Sequence, residues 1–390
     1  MKVVWNCYAP SGRKDCDWVS FSQGVALSCD PIPLRGNHRV FFGLGHIKIS
    51  KHLAPKEQNN AARDNAPGTR KKKIMESPER AEEREMPAIK IKNFSKSYGD
   101  VQAVKSVDLN IDEGELFGLI GPDGAGKTTL MRSICTLLVP DGGSIHVNGM
   151  DVTNNVPEIR SILGYMPQRF SLYQDLSVEQ NLQFFADIFT VPLEEKEERL
   201  KELYRFSRLE HFKKRAAGAL SGGMKQKLAL SCALIHTPDI LVLDEPTFGV
   251  DPVSRQEFWE ILHTIQKEGK TIFVSTAYMD EADQCDRVAL MSGGKIVNCN
   301  TPDKLKESFR FPVYKLEADN LRKINEFFKA QPNVLNTQLF GDSIHVNFKQ
   351  SPTEDEWESW KKETNQGFTN WQKITPSIED IFLNVDENTE

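Results

Sequence analysis

From residue 88 onward, apolar and polar side chains fall into regular periods. Ile89-Lys90-Ile91-Lys92 alternates as a half-buried strand must, and Leu109-Asn110-Ile111 repeats the pattern. Residues 115–120 form an apolar run of the buried-strand kind, leading into a glycine-rich loop. A helix is predicted over 127–138, followed by a turn at Pro140-Asp141-Gly142-Gly143. Between 168 and 236 the chain turns mostly helical. Ser177-Val178-Glu179-Gln180 reads there as a capping box, ahead of Leu182, Phe185 and Phe189 on one helical face. Residues 240–244 are a buried strand by their apolar run, and 253–267 carry Phe258, Ile261, Leu262 and Ile265 at helical spacing before stopping at Gly269. A β-branched stretch at 271–274 then ends in Ser275-Thr276-Ala277. Strand alternating with helix predicts an α/β fold around a mostly parallel sheet.

The pattern changes twice. After about residue 308, strands are expected at 313–317 and 343–348 with a helix at 320–329, then a strand and helix running to 385. This is a small α+β module without a catalytic cluster. Residues 1–86 hold no sustained period, and 51–85 are polar and charged, including Arg70-Lys71-Lys72-Lys73. That composition predicts a disordered leader. The expected division is therefore 1–86, 87–308 with a helical part at 169–236, and 309–390.

Composition excludes more than it selects. The 390 residues are 39% hydrophobic and 27% charged with a net charge of −6, which gives no electrostatic case for nucleic acid. Seven cysteines without paired spacing fit reduced thiols of a cytosolic protein. No run approaches the ~18 apolar residues of a membrane-crossing helix, and the start of the chain does not read as a signal peptide. Any work at a membrane is expected to pass through a partner.

Gly121-Pro122-Asp123-Gly124-Ala125-Gly126-Lys127-Thr128-Thr129 has the spacing G-x-x-x-x-G-K-T between a strand and a helix. Glycines let backbone N–H groups turn inward around phosphates, and the helix N-terminus adds partial positive charge. Lys127 is expected on the β- and γ-phosphates and the Thr128 hydroxyl on Mg²⁺. The strand at 240–244 delivers Asp244 at its end, placed to hold the metal through water, and Glu245 next to it can orient or deprotonate a water. A nucleoside triphosphate and Mg²⁺ are the expected ligands.

Phosphate loops serve many activities, so the loop alone does not decide among them. The run Leu220-Ser221-Gly222-Gly223-Met224-Lys225-Gln226 opens a helix shortly before the Asp-Glu strand. Here, over about 88–305, the chain resembles the ATP-binding cassette family, whose motif this is. The resemblance implies a P-loop NTPase core with an antiparallel β subdomain and an inserted helical subdomain, plus the small C-terminal module. It implies that Tyr98 stacks on adenine, that Gln168 touches Mg²⁺, and that Asp251 faces an opposing subunit. It also implies a dimer in which one subunit's Ser221, Gly222 and Gly223 close over ATP on the other's phosphate loop. The partners implied are an integral-membrane permease and a second cassette subunit, either an identical chain or a different one. The implied location is cytoplasmic, on the inner face of the cell membrane. The ending Pro376-Ser377-Ile378-Glu379-Asp380-Ile381-Phe382 resembles that of bacterial multidrug- or lipid-type exporters.

One position departs from the family pattern. The strand after the Asp-Glu element normally ends in a histidine that holds the γ-phosphate and the attacking water. Here that position is Ala277. Two functions stay open: an ATPase driving a permease, its rate lowered by Ala277, or an ATP-dependent switch with weak hydrolysis beside an active cassette. A soluble cassette acting on ribosomes or DNA is disfavoured by the single cassette and the absence of heptads. A GTPase is disfavoured by the absence of Asn-Lys-x-Asp.

Overall fold

The computed structural model describes residues 86–365 and 367–386. The expected leader lies, except for Met86, outside them, as do the last four residues of the chain. Strands β1 (Ile89–Tyr98) and β2 (Val101–Ile111) form a hairpin, and β3 (Leu116–Ile120) runs into α1 (Lys127–Ile134). Next come β4 (Gly142–Val147), β5 (Met150–Asp151), α2 (Val156–Ile162), β6 (Leu163–Met166), α3 (Val178–Ile188), α4 (Leu193–Ser207) and α5 (Gly222–Leu234). They are followed by β7 (Ile240–Asp244), α6 (Pro252–Lys267), β8 (Thr271–Thr276), β9 (Arg287–Ser292), β10 (Lys295–Asn300) and α7 (Pro302–Ser308). The last described elements are β11 (Val313–Ala318), α8 (Leu321–Lys329), β12 (Val334–Phe340), β13 (Ser343–Phe348), α9 (Glu354–Glu363), β14 (Phe368–Ile374) and α10 (Ile378–Asp386).

Three sheets organise these elements. The central one has the order β10-β9-β3-β8-β7-β6, with parallel pairing from β9 through β6 and only β10 antiparallel. Its inner strands are covered on both faces, which is why they read as continuous apolar runs. Phe117, Leu119, Val242 and Phe273 face α1 and the antiparallel sheet β2-β1-β4-β5. Leu116, Ile120, Leu241, Leu243, Ile272 and Val274 face Phe258, Leu262 and Ile265 of α6, together with Ile378, Ile381 and Phe382 of α10. Helices α3, α4 and α5 share a separate apolar cluster around Leu182, Leu203, Tyr204 and Leu228. The third sheet, β12-β13-β11-β14, is antiparallel and packs on α8 and α9 around Phe328, Phe348, Trp357 and Trp360.

The capping box at Ser177 forms, with the serine oxygen accepting from Gln180 N and the Gln180 side chain accepting from Ser177 N. Helix α1 ends four residues earlier than its apolar pattern predicts. Thr136 takes a positive φ of 58°, Thr136 N donates to Ser133 O and Leu137 N to Arg132 O. This is a Schellman ending built on threonine where glycine is the usual signal. The four cysteines among the described residues, Cys135, Cys232, Cys285 and Cys299, are unpaired thiols.

Candidate functional site

Parallel strands end together. Ile120 pairs with Thr276, Asp244 with Ser275, and Met166 with Leu243. The carboxyl ends of β3, β6, β7 and β8 therefore deliver the loop 121–129, Gln168, Asp244-Glu245 and Ala277 to one edge, the usual place for a ligand in an open α/β sheet.

The loop wraps a lysine. Gly126 has φ of 107°, and a Cβ there would meet Ala103 O at 2.6 Å, so no other residue fits between the loop and β2. Lys127 is buried, and its Nζ donates to Gly121 O at 2.7 Å and Pro122 O at 3.0 Å while lying 3.0 Å from Glu245 Oε1. No side chain caps α1, so its first-turn N–H groups point into this loop with the helix's partial positive charge.

Two acids share the edge in different states. Asp244 is fully buried, its Oδ1 accepting from Ser275 Oγ at 2.8 Å and Thr128 Oγ1 at 3.1 Å. Burial pushes its carboxyl above the usual range, the two hydroxyls oppose the shift, and the neighbouring Glu245 charge adds to it. Asp244 Oδ2 is buried without a hydrogen-bond partner. Glu245 has φ of 47°, a left-handed conformation that a non-glycine residue adopts only when its surroundings hold it there. They do: Glu245 N donates to Ser275 Oγ at 3.0 Å and to Ser275 O at 3.2 Å, and Gln168 Nε2 donates to Glu245 Oε2 at 2.7 Å. With Lys127 on the other oxygen, the carboxylate is pinned from both sides.

Thr128 and Asp244 suit a hard cation. They present a hydroxyl and a carboxylate 3.1 Å apart, beside one unbonded buried oxygen. Gln168 does not join that pair; its amide is engaged on Glu245. Ser275 is the participant that sequence reasoning missed as a site residue. It is one residue among many serines until the β7–β8 register sets it opposite Asp244.

Other motif residues stand elsewhere. Ser221 caps α5 by accepting from Met224 N, and Gly222 and Gly223 are its first residues. A Cβ on Gly223 would meet Ser254 Cβ at 2.6 Å, so the glycine lets α5 lie against the head of α6. Asp251 caps α6 by accepting from Ser254 N at 2.9 Å, and that backbone bond holds its carboxyl below the usual range. Among the described residues, no hydrogen bond or ion pair joins residues 221–223 or Asp251 to the loop 121–129. Tyr98 ends β1 at the hairpin turn and is 48% exposed. Ala277 follows β8 directly, bearing no polar side chain.

The chain is similar to known transporter ATP-binding proteins. A family model described as ABC transporter matches residues 104–248. The probable multidrug ABC transporter ATP-binding protein YbhF of Escherichia coli K12 is 40% identical over 288 residues, 73% of this chain and 49% of that protein. The Nod factor export ATP-binding protein I of Sinorhizobium fredii is 35% identical over 302 residues, 76% of this chain and 85% of that protein. The chain belongs to the ATP-binding cassette transporter family. It spans about half the length of YbhF. Among solved structures, the ATP-binding cassette MJ0796, a dimer in a post-hydrolysis state bound to ADP and Pi, superposes with a TM-score of 0.51 at 28% identity, over 55% of this chain and 98% of that one. The cassette fold is thus that of a P-loop NTPase, with the antiparallel sheet and the helices α3 to α5 set around the parallel core.

Proposed function

We propose that this cassette is the ATP-binding and ATP-hydrolysing subunit of a membrane exporter, closing on ATP as a dimer and driving a separate permease. One observation carries the reading: the chain holds two half-sites apart. Lys127, Thr128, Asp244, Glu245 and Gln168 converge at the sheet edge, whereas the helix head at Ser221-Gly222-Gly223 packs on Ser254 with no polar tie to the loop. A second chain's helix head supplies what one chain lacks, namely a hydroxyl, close-approach backbone and a helix N-terminus for the γ-phosphate. The dimeric state of MJ0796 supports this, and the names of the relatives, multidrug and Nod factor export, support the outward direction.

The roles follow from the chemistry of each group. The amides of 121–129 and Lys127 hold the β- and γ-phosphates, and Tyr98 stacks on the adenine. Thr128, Asp244 and Gln168 would hold Mg²⁺, the first two already 3.1 Å apart. Mg²⁺, when bound, neutralises charge on the phosphate oxygens. Glu245 orients the attacking water and takes its proton, and Asp251 meets the opposing subunit. We assign residues 87–308 to the cassette, 169–236 to its helical subdomain and 309–390 to a regulatory or interaction module. No helix among the described residues is long and apolar enough to cross a membrane.

Glu245→Gln tests the reading. Removing the base should lower turnover by about 10²–10⁴-fold while ATP still binds. The variant should then accumulate as an ATP-dependent dimer on size-exclusion chromatography. A variant that turns over at the native rate, or stays monomeric at saturating ATP, overturns the proposal.

A further inference from the structure

Glu281 is a buried acid that the phosphate chemistry does not use. It lies in a 3-10 turn, Met279–Gln284, shortly after Ala277, and is 4% exposed. Its Oε2 accepts two hydroxyl hydrogen bonds, from Thr276 at 2.6 Å and Thr247 at 3.0 Å. Thr276 is the last residue of β8, and Thr247 stands in the turn that leaves Glu245. The Thr276 hydroxyl also accepts from Tyr278 N at 3.0 Å, so the bonds bracket Ala277 on both sides. The second oxygen, Oε1, has no hydrogen bond and faces the Arg255 guanidinium at 3.9 Å. Arg255 belongs to the first turn of α6, where its N–H donates to Asp251 O at 2.9 Å, and its guanidinium covers the Tyr278 ring at 4.6 Å.

Such a group is a poor stabiliser. A desolvated carboxylate with one unbonded oxygen and a counter-charge no nearer than 3.9 Å recovers little of its hydration. What it provides is geometry. One carboxylate ties the turn after Glu245, the end of β8 and the head of α6. Two backbone bonds close that turn, Phe248 N to Glu245 O and Val250 N to Thr247 O, both at 3.2 Å. The Thr247–Glu281 bond adds a side-chain tie to this turn, beside the Ser275 bonds that hold the strained φ of Glu245. From behind, Ala282 is buried in the same apolar cluster as Ile378, Ile381 and Phe382 of α10, so the C-terminal helix buttresses the turn that carries Glu281.

We infer that Glu281 is a positioning residue for hydrolysis, holding the Glu245 turn in register with the segment that carries Ala277. This rests on the ATPase reading above. It acts through Thr247 and Thr276.

The test uses the full chain and three variants. Glu281→Ala removes the acceptor, Glu281→Gln keeps an acceptor oxygen of the same reach, and Thr247→Val with Thr276→Val keeps the shape without the hydroxyls. Glu281→Ala and the double valine variant should each lower kcat by about 10- to 100-fold, the scale of a misplaced catalytic group. ATP affinity should stay within about twofold, and Glu281→Gln should return kcat to within about threefold of native. Backbone amides of 247–250 and 277–281 should exchange hydrogen faster in the first two and at the native rate in the third. The inference is overturned if Glu281→Ala leaves kcat and exchange unchanged, if affinity falls in proportion to kcat, or if glutamine is as damaging as alanine. If the native chain itself hydrolyses no ATP, the enzyme reading fails, and hydrogen exchange alone decides whether Glu281 holds the two segments.

Discussion

Two buried regions of this chain follow opposite rules. The edge of the central sheet buries charge: Lys127, Asp244, Glu245 and Glu281 are each nearly closed to solvent. Asp244 Oδ2 and Glu281 Oε1 lack hydrogen bonds, and Glu245 sits in a strained backbone region. The core of the third sheet buries rings. Trp360 stacks on Phe348 at 5.7 Å, meets Phe328 edge-on at 5.4 Å and meets Trp357 edge-on at 5.2 Å. Those geometries suit the ring quadrupoles and add to the burial of large apolar areas. The first region keeps Asp244 Oδ2 unbonded where a bound cation can answer it, and Glu281 Oε1 facing Arg255 at 3.9 Å. The second packs rings against rings and contributes stability, while the unpartnered polar atoms of its sheet, among them Asn336 Nδ2, Thr337 Oγ1 and Asn347 Oδ1, belong to residues outside the ring cluster. The difference lies in what is buried: ionisable groups and a strained backbone at the edge, apolar rings in the third sheet's core.

Three experiments bear on that contrast. The largest effect is expected at the rings. Trp357→Ala should cost about 3–5 kcal/mol of stability, read as a lower urea midpoint, with ATP affinity unchanged. A loss under about 1 kcal/mol would mean that the aromatic cluster is not the stabilising unit.

At the charged edge, the expected effect is on rate. Ala277→His introduces the donor that the family resemblance implies at this strand end, and contacts of that kind are worth about 2.7–4 kcal/mol, or 10²–10³ in rate. Turnover should rise toward that factor with little change in unfolding. If the native chain already turns over at the rate of the histidine variant, the alanine carries no deficit and the edge is complete without it.

The third experiment uses pH. His236 stacks on Phe189 with centroids 3.9 Å apart and lies 3.3 Å from Leu163 O through Nε2. Burial lowers its pKa from 6.5 to about 4. Above pH 6.5 both folded and unfolded chains hold it neutral. Between pH 6.5 and 4 only the unfolded chain takes up the proton, so stability falls with falling pH and levels off below 4. The full decline is about 3 kcal/mol, and His236→Gln should flatten it in denaturant titrations across that range. An unchanged slope would show that the ring is not held neutral in the folded state.

Much of the architecture was legible because it rests on near neighbours in the chain. The phosphate loop, the capping box at Ser177, the apolar run before Asp244 and the helical spacing of Phe258, Ile261, Leu262 and Ile265 lie within a few residues of their own consequences. The readings faltered where a local cue was atypical. Thr136 stops α1 although its pattern runs on to Leu138, because a threonine adopts the left-handed conformation expected of glycine. Strand β12 reads Val-Leu-Asn-Thr-Gln-Leu-Phe, without the apolar–polar alternation that marks a strand, and its pairing with β13 is irregular between Val334 and Asn336.

By itself the sequence determined the nucleotide loop, the paired acids, the signature helix head and the alanine at position 277, since each is a spacing within one short stretch. Only the tertiary structure decided what meets what. The β7–β8 register set Ser275 between Asp244 and the amide of Glu245. The loop after β6 carried Gln168 to Glu245, 77 residues away. The fold closed Glu281 over Thr247 and Thr276, which are 34 and 5 residues from it. Strand register and loop closure depend on the packing of the whole sheet against its helices, and no window of neighbouring residues contains that information.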